Sequence, residues 1–427
     1  MGEWGGELKL ETKSKTSAIV VATLVLGVVV GFSSLLLSVL LDLTERFFLN
    51  FEETNLVPVD VDAGAMHRFI SVLVGGIIAA IIWYYLQRHY RPVKLGKAVD
   101  GQKMPLVKTL IHVCTQIFFV GTGNSIGREL APREAGAAWA QKWEDVTANH
   151  PALQLTAEDR RMLVAAAAGA GFAGVYIAPI TGAVFCIELL YKKINARVIA
   201  VSLTMSTIAI LIGSIVKGYK PYYLVGSNNF HLQILPLVVL LGPLSGILGT
   251  IFKKYIAQAK AHRVRNINIM IQLPVIAAIT GGIAAFYPQI MGNGRGLAQL
   301  AMSTNSHSQT VILALLFGLV AKVLVTLFVM KCGGYGGVLT PSIAAGAVVG
   351  AFAGMVYITL VPGVTIAQAA VLGAAFFLAA SQQAPLMALF MLFEVCHLNF
   401  SAFLPLAMGV GLSIAISKWL QTKSFFK

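Results

Sequence analysis

The sequence predicts an all-α, polytopic membrane protein, and three observations carry that prediction. Of 427 residues, 57% are hydrophobic and only 12% charged. An average soluble domain is roughly 45–50% apolar and about 25% charged. The apolar runs are long and rich in Gly and Ala, without the roughly 10-residue alternating segments of an outer-membrane barrel. The first two loops carry charge of opposite sign. Together these exclude a water-soluble enzyme, a disordered chain and a fibrous protein. The net charge of +14, from 32 basic and 18 acidic residues, would suggest nucleic acid in a soluble protein. Here the positive-inside bias of loops accounts for it, and no nucleic-acid partner is expected.

Residues 1–16 read as a cytoplasmic N-terminal segment with three Lys and three Glu. The apolar run that follows is too long for a signal peptide. A first span is predicted over 17–41. The loop after it holds Asp42, Glu45, Glu52, Glu53, Asp60 and Asp62. A second span over 69–86 leads to Arg88, Arg91, Lys94, Lys97, Lys103 and Lys108. Acidic then basic puts the first loop outside, the second inside and the N-terminus in the cytoplasm. A multi-pass protein of a bacterial inner or plasma membrane is the expectation.

Further apolar runs lie near 105–122, 161–176, 179–191, 198–216, 231–252, 268–286, 309–330, 338–360, 365–380, 384–397 and 402–420. Several are too short to cross. The one starting at Pro179 has roughly 14 residues, about 21 Å of helix against about 30 Å of hydrocarbon. Such half-helices need neighbouring protein or a watery cavity to satisfy their ends. Thr156 with Asp159 reads as a capping box opening the helix that carries Arg160 and Arg161. Cys114, Cys186, Cys332 and Cys396 have no metal-ligand spacing and read as packing residues. No metal or cofactor is implied.

The chain contains a repeat. Ala178-Pro179 runs through nine residues ending at Glu188, and Ala384-Pro385 does the same ending at Glu394, an offset of 206. Gly127-Arg128-Glu129-Leu130-Ala131-Pro132 matches Gly336-Gly337-Val338-Leu339-Thr340-Pro341 at an offset of 209. Two ordered matches at about half the chain length divide it into a first membrane repeat, 17–216, and a second, 217–427. Duplicated halves mark many transporters, with the substrate site between them near the midplane. Parallel and inverted repeats both fit this spacing.

The stretch from Gly121 to Glu129 is Gly-rich and precedes a helical run. Glycines let the backbone approach a ligand closely. The helix N-terminus after it offers unpaired N–H groups and about half a positive charge, an anion site in principle. Glu129 could occupy that site itself and leave on protonation or under competition from an anion. A turn with an interfacial Arg–Glu pair fits the same residues. The stretch from Gly333 to Pro341 repeats the pattern with no carboxylate at the position of Glu129. An anion could sit there on the N–H groups of Val338 and Leu339; a Gly-rich packing seam is the other reading. Glu188 and Glu394 end apolar half-helices. Intramembrane acids are functional candidates, yet the matching positions equally fit a shared capping role. His112 and His397 have no partner spacing and read as satisfied polar residues.

At these residues the sequence resembles the CLC family of chloride channels and proton-coupled anion exchangers. The resemblance is carried by Gly127-Arg128-Glu129 with Gly136, by Gly171 to Pro179 continuing to Ile187-Glu188, by Gly336 to Pro341, and by Ala384-Pro385 to Glu394. These recur in family order over about 100–420. The resemblance implies two inverted, intertwined repeats of tilted and broken helices. It also implies a homodimer in the lipid bilayer with one pore per subunit. It makes Glu129 the gating glutamate, the amides of Val338 and Leu339 the central anion site, and those around Arg128 and Leu130 the outer one. Four departures follow. The segment after Glu129 reads Leu130-Ala131-Pro132-Arg133-Glu134 rather than Gly-Pro, which changes the local geometry expected there. The family's Gly-Ser-Gly-Ile-Pro stretch, whose serine contacts the central anion, has no clear match; the region reads His89-Tyr90-Arg91-Pro92-Val93. The exchangers' inner proton-relay glutamate is Leu189 here, leaving Glu188 as the nearest acid. The inner-gate tyrosine falls by spacing on Phe426, in a truncated final helix.

The expectation is transport of chloride or a similar small anion, not an enzyme activity, with Glu129 competing for the outer site. Leu189 favours channel-like or loosely coupled conduction. Proton-coupled chloride antiport through a non-standard relay is the alternative. A cation-coupled transporter of an organic solute and a membrane-embedded enzyme are the rivals of other classes, and a fluoride exporter is a variant within the family.

Overall fold

A computed structural model describes residues 16–59 and 62–423; Phe426 lies outside them. The first half of the chain forms α1 (Thr16–Leu49), α2 (Ala65–His89), α3 (Leu95–Val99), α4 (Leu106–Gly121), α5 (Leu130–Thr147), α6 (Ala157–Tyr176), α7 (Pro179–Phe185) and α8 (Ala196–Lys217). The second forms α9 (Leu235–Ala261), α10 (Ile269–Phe286), α11 (Arg295–Ser303), α12 (Gln309–Lys331), α13 (Leu339–Tyr357), α14 (Ile366–Gln382), α15 (Pro385–Val395) and α16 (Phe403–Gln421). Among the described residues there is no strand. The helices α1, α2, α8, α9, α10, α12, α13 and α16 lie in the segments long and apolar enough to cross a membrane. The chain is a multi-pass membrane protein.

Two elements differ from the sequence expectation. α1 does not stop before Asp42 but runs on to Leu49. Asp42 and Glu45 look like loop residues, yet both are buried. Lys217, at the end of α8, pairs with Asp42 at 2.6 Å, and the Glu53 N–H donates to Glu45 at 3.1 Å, so the helix keeps its acids. α11 carries Arg295 and Gln299 in its nine residues, too few apolar residues to register as a span. The short run from Pro179 behaves as expected: α7 ends at Phe185 and passes into a π-helical turn, Cys186–Tyr191. Of the expected capping box at the N-terminus of α6 the structure shows the Thr156 half, its Oγ1 accepting from the Asp159 N–H at 3.2 Å, while the Asp159 carboxylate accepts from the Thr156 hydroxyl at 2.7 Å.

The halves repeat each other helix for helix. In the first, α1 packs on α6 and α8, α5 on α4 and α6, and α6 on α8; in the second, α9 packs on α14 and α16, α13 on α12 and α14, and α14 on α16. The closest pairs are backbone against backbone. A methyl group on Gly136 would lie 2.2 Å from the Ala167 carbonyl oxygen, and one on Gly350 2.2 Å from that of Ala369. Lipid supplies no hydrophobic drive between helices, so such close approach does the packing.

The halves also close each other. Glu188 accepts from the N–H groups of Leu386 and Met387, at the start of α15, at 3.1 and 2.9 Å. Glu394 accepts from those of Ile180 and Thr181, at the start of α7, at 2.9 and 2.8 Å. Of the two roles open for these acids, the structure shows the capping one. α5 ends near Asp145, which pairs with Lys103 of the basic loop at 2.7 Å. α13 ends at Tyr357, which donates to the Gln233 carbonyl at 2.6 Å, and the Gln368 amide of α14 bonds Asn229 in the same 218–234 connection. That connection joins the acidic α1–α2 loop through Tyr222 and Arg295. The two broken-helix pairs therefore run to opposite faces, as inverted repeats require.

Candidate anion site

The two Gly-rich stretches meet at the centre. α4 and α12 both end in a glycine turn, Gly123 with φ +95° and Gly333 with φ +112°, values that a Cβ disfavours. Beyond the turns the chains pair antiparallel: Gly127 N–H donates to Gly337 O at 2.9 Å and Gly337 N–H to Gly127 O at 2.7 Å. From this pairing α5 and α13 depart, so two helix N-termini converge on one point.

Side chains fix the first loop. Asn124 donates to Val72 O at 2.9 Å and Ser71 to Thr122 O at 2.9 Å. Lys322, fully buried on α12, donates to Ser125 Oγ at 2.8 Å and to the carbonyls of Ile290 and Gly292 at 3.1 and 2.7 Å. Its charge is thus placed behind the loop that carries Glu129.

Glu129 is fully buried. Its Oε1 accepts from the Leu339 N–H, one of the N–H groups that α13 leaves without an intrahelical partner. Its Oε2 is buried with no partner. Methyl groups at Gly337 and Gly127 would lie 1.9 and 2.2 Å from these oxygens, so the carboxylate lies flat across the glycine pair. The sequence placed Glu129 in competition at the outer amides around Arg128 and Leu130. The structure seats it on the second-half amide, beside Val338.

Arg128 points away, to the acidic loop. Its guanidinium donates to Glu53 Oε2 at 2.7 Å and to Tyr222 Oη at 3.2 Å, and Arg295 binds the other oxygen of Glu53. Burial pushes the Glu53 carboxyl up, but the two guanidiniums outweigh it and hold the group at about 2. The chain here folds back from α1 to roof the site.

Sequence reasoning did not single out Arg133 and Glu134 as site residues. Both lie on α5, both are buried, and charge in the first turns of a helix at membrane depth is the signal that marks them. Glu134 accepts from the Gln116 amide at 2.7 Å and lies 3.6 Å from His112 Nε2. Trp83 Nε1–H donates to His112 Nδ1 at 3.1 Å. The indole can only donate, so Nδ1 is unprotonated and the imidazole proton sits on Nε2, facing Glu134. His112 is thus satisfied only in part, against expectation: Trp83 bonds Nδ1, while Nε2 has no hydrogen-bond partner among the described residues and Glu134 is the acid it faces. Arg133 faces Phe172 and Phe185, its guanidinium carbon 4.3 Å from each ring centroid.

Known proteins share this fold. A family model described as "Voltage gated chloride channel" matches residues 75–418. A ClcB-like chloride channel protein of Ralstonia nicotianae is 29% identical over 355 residues, 80% of each chain. The H(+)/Cl(−) exchange transporter ClcA of Vibrio campbellii is 27% identical, covering 79% of this chain and 74% of that one. Among solved structures, a slow cyanobacterial Cl−/H+ antiporter superposes with a TM-score of 0.80 at 18% identity over 97% of both chains. A CLC-type fluoride/proton antiporter gives 0.71 at 18% identity, over 94% of this chain and 95% of that one. The match spans the paired glycine loops, both broken-helix pairs and both capping glutamates, and by it the chain belongs to the voltage-gated chloride channel (CLC) family.

Proposed function

We propose that the protein moves chloride or a similar small anion across the membrane, with Glu129 as a protonatable gate. The observation that carries this is the Glu129 carboxylate resting on the free Leu339 N–H of α13. A carboxylate there is a tethered stand-in for a mobile anion. Oriented N–H dipoles replace the hydration shell that an anion loses on entry. Free anion displaces the carboxylate by competition, and protonation releases it by removing its charge. The amides of Val338 and Leu339 hold the central anion, and those around Arg128 and Leu130 an outer one. The basic loops face the cytoplasm, and two chains pair as a homodimer with one pore each.

Channel-like or loosely coupled conduction is the favoured form. Position 189 is Leu, and Glu188 is occupied as a cap. The test is reconstitution in vesicles under an imposed chloride gradient without ionophore, with chloride efflux and internal pH recorded together. Chloride flux that runs down the gradient without linked proton movement is the expected result. Absence of flux for chloride and for other small anions overturns the transport reading.

One observation favours proton-coupled antiport instead. Glu134 sits five residues after Glu129 on α5, towards the basic-loop face, with the His112 Nε2 proton aimed at it. It is an acid on the inner side of the gate, where Leu189 offers none. If exchange operates, Glu134→Gln is expected to abolish linked proton movement while chloride flux persists. Unchanged proton-to-chloride coupling in that variant rules Glu134 out as the relay.

A further inference from the structure

Arg133 is a buried cation with no ion pair among the described residues, the nearby Glu129 carboxylate acting on it only through space. It is 8% exposed, and among the described residues no acid lies within ion-pair distance of it. Its Nε and Nη2 are both buried without a hydrogen-bond partner. These two donors lie on one edge of the planar guanidinium and point the same way, the edge that recognises anions in bidentate fashion. The ring faces of Phe172 and Phe185 approach the guanidinium carbon. Their centroids are 5.8 Å apart, so they form a corner that steadies the cation and supplies no acceptor. A lone charge is expensive to bury unless an opposite charge completes it.

Its place on α5 says what completes it. Arg133 follows Glu129 by four residues, on the same helix face and about 6 Å further along the axis. That direction leads towards the basic-loop face, where Asp145 meets Lys103. The polar groups around it are Glu129, whose carboxylate is engaged by Leu339, and Tyr176, whose hydroxyl is engaged by Thr340 at 3.1 Å. Lys260 adds a second positive charge to the same surroundings. The pattern is a positively charged cluster next to the gate with one unused bidentate edge.

We infer that the Nε/Nη2 edge of Arg133 is a second anion seat, one helical turn inside Glu129, taken by a permeant halide. The inference rests on the anion-transport reading and adds to it a side-chain ligand where the family's serine has no counterpart. A halide there stands close enough to the Leu339 seat for the two occupants to repel, which helps each to leave. The shared chemistry is a monovalent anion, and the Glu129 carboxylate is the one internal competitor for the edge.

The test is anomalous scattering from crystals of the wild type and of Glu129→Gln grown in bromide, with chloride titration calorimetry on the same proteins. Bromide within hydrogen-bond distance of Arg133 Nε and Nη2 is the expected result. Arg133→Gln should remove that peak, leave the one at the Leu339 N–H of Glu129→Gln, and weaken chloride binding at least about tenfold. Arg133→Lys should retain part of the affinity, and it keeps the test alive if the Gln variant does not fold. Bromide at Arg133 only in Glu129→Gln, with the carboxylate on the arginine in the wild type, overturns the halide seat and makes the edge a second resting place of Glu129. Bromide at Leu339 and none at Arg133 in either protein overturns the inference alone. Bromide at neither place in Glu129→Gln overturns the transport reading with it.

Discussion

Glu129→Gln is expected to raise chloride flux at neutral pH about tenfold and to flatten its response to acid. The carboxylate holds its seat by a hydrogen bond from the Leu339 N–H. Bonds to a charged group contribute about 1.5–3 kcal/mol, and neutral ones about 0.5–1.5 kcal/mol. A loss of roughly 1.4 kcal/mol lowers occupancy of the seat about tenfold. Gln keeps the shape and one acceptor oxygen but not the charge, so it fixes the state that the wild type reaches only when protonated. Wild-type flux should therefore rise as pH falls, and the variant should already stand near the acid limit. Glu53 does not confuse the measurement, because Arg128 and Arg295 keep it ionised down to about pH 2. The check is chloride efflux from vesicles between pH 7.5 and 4.5. A variant that keeps the wild-type pH response shows that the gate is elsewhere.

What the sequence made legible is what the backbone does. Glycine clusters before Pro-containing helices predicted two turns and two exposed helix N-termini, and those turns are built as predicted. The Ala-Pro to Glu repeat predicted a duplication, and the structure gives its reason: the acid ending each copy caps the helix N-terminus that opens the other. What stayed hidden is what depends on the chain returning. Glu53 lies 75 residues before Arg128 and joins it only because the α1–α2 loop folds back over the site. Arg133 gains its meaning from Phe172 and Phe185, on two other helices. His112 looked solitary because Trp83 and Glu134 are 29 and 22 residues away. Charge-based boundaries failed at α1 for the same reason: Asp42 is tolerated in a helix because Lys217, far along the chain, comes to meet it.

The second large effect is expected at Gly337, and it asks whether carboxylate and anion use one seat. A methyl group there would lie 1.9 Å from Glu129 Oε1 and 2.2 Å from its carboxyl carbon. No such distance is tolerable, so in Gly337→Ala the carboxylate must leave. The φ of Gly337 is outside the left-handed region, so the backbone accepts Ala and the methyl group alone is at work. Displacement of the gate by itself would open the path. But a chloride replacing Oε1 on the Leu339 N–H meets the same methyl group, and overpacking of this kind costs about 1–3 kcal/mol. Gly337→Ala is therefore expected to lower flux about tenfold or more, and to do so equally in a Glu129→Ala background, where no carboxylate remains to be displaced. Gly282 is the control, since nothing lies within 4 Å of a methyl group added to it. Flux in Glu129→Ala unaffected by the Gly337 methyl group would mean that the anion passes beside the glutamate's seat rather than through it.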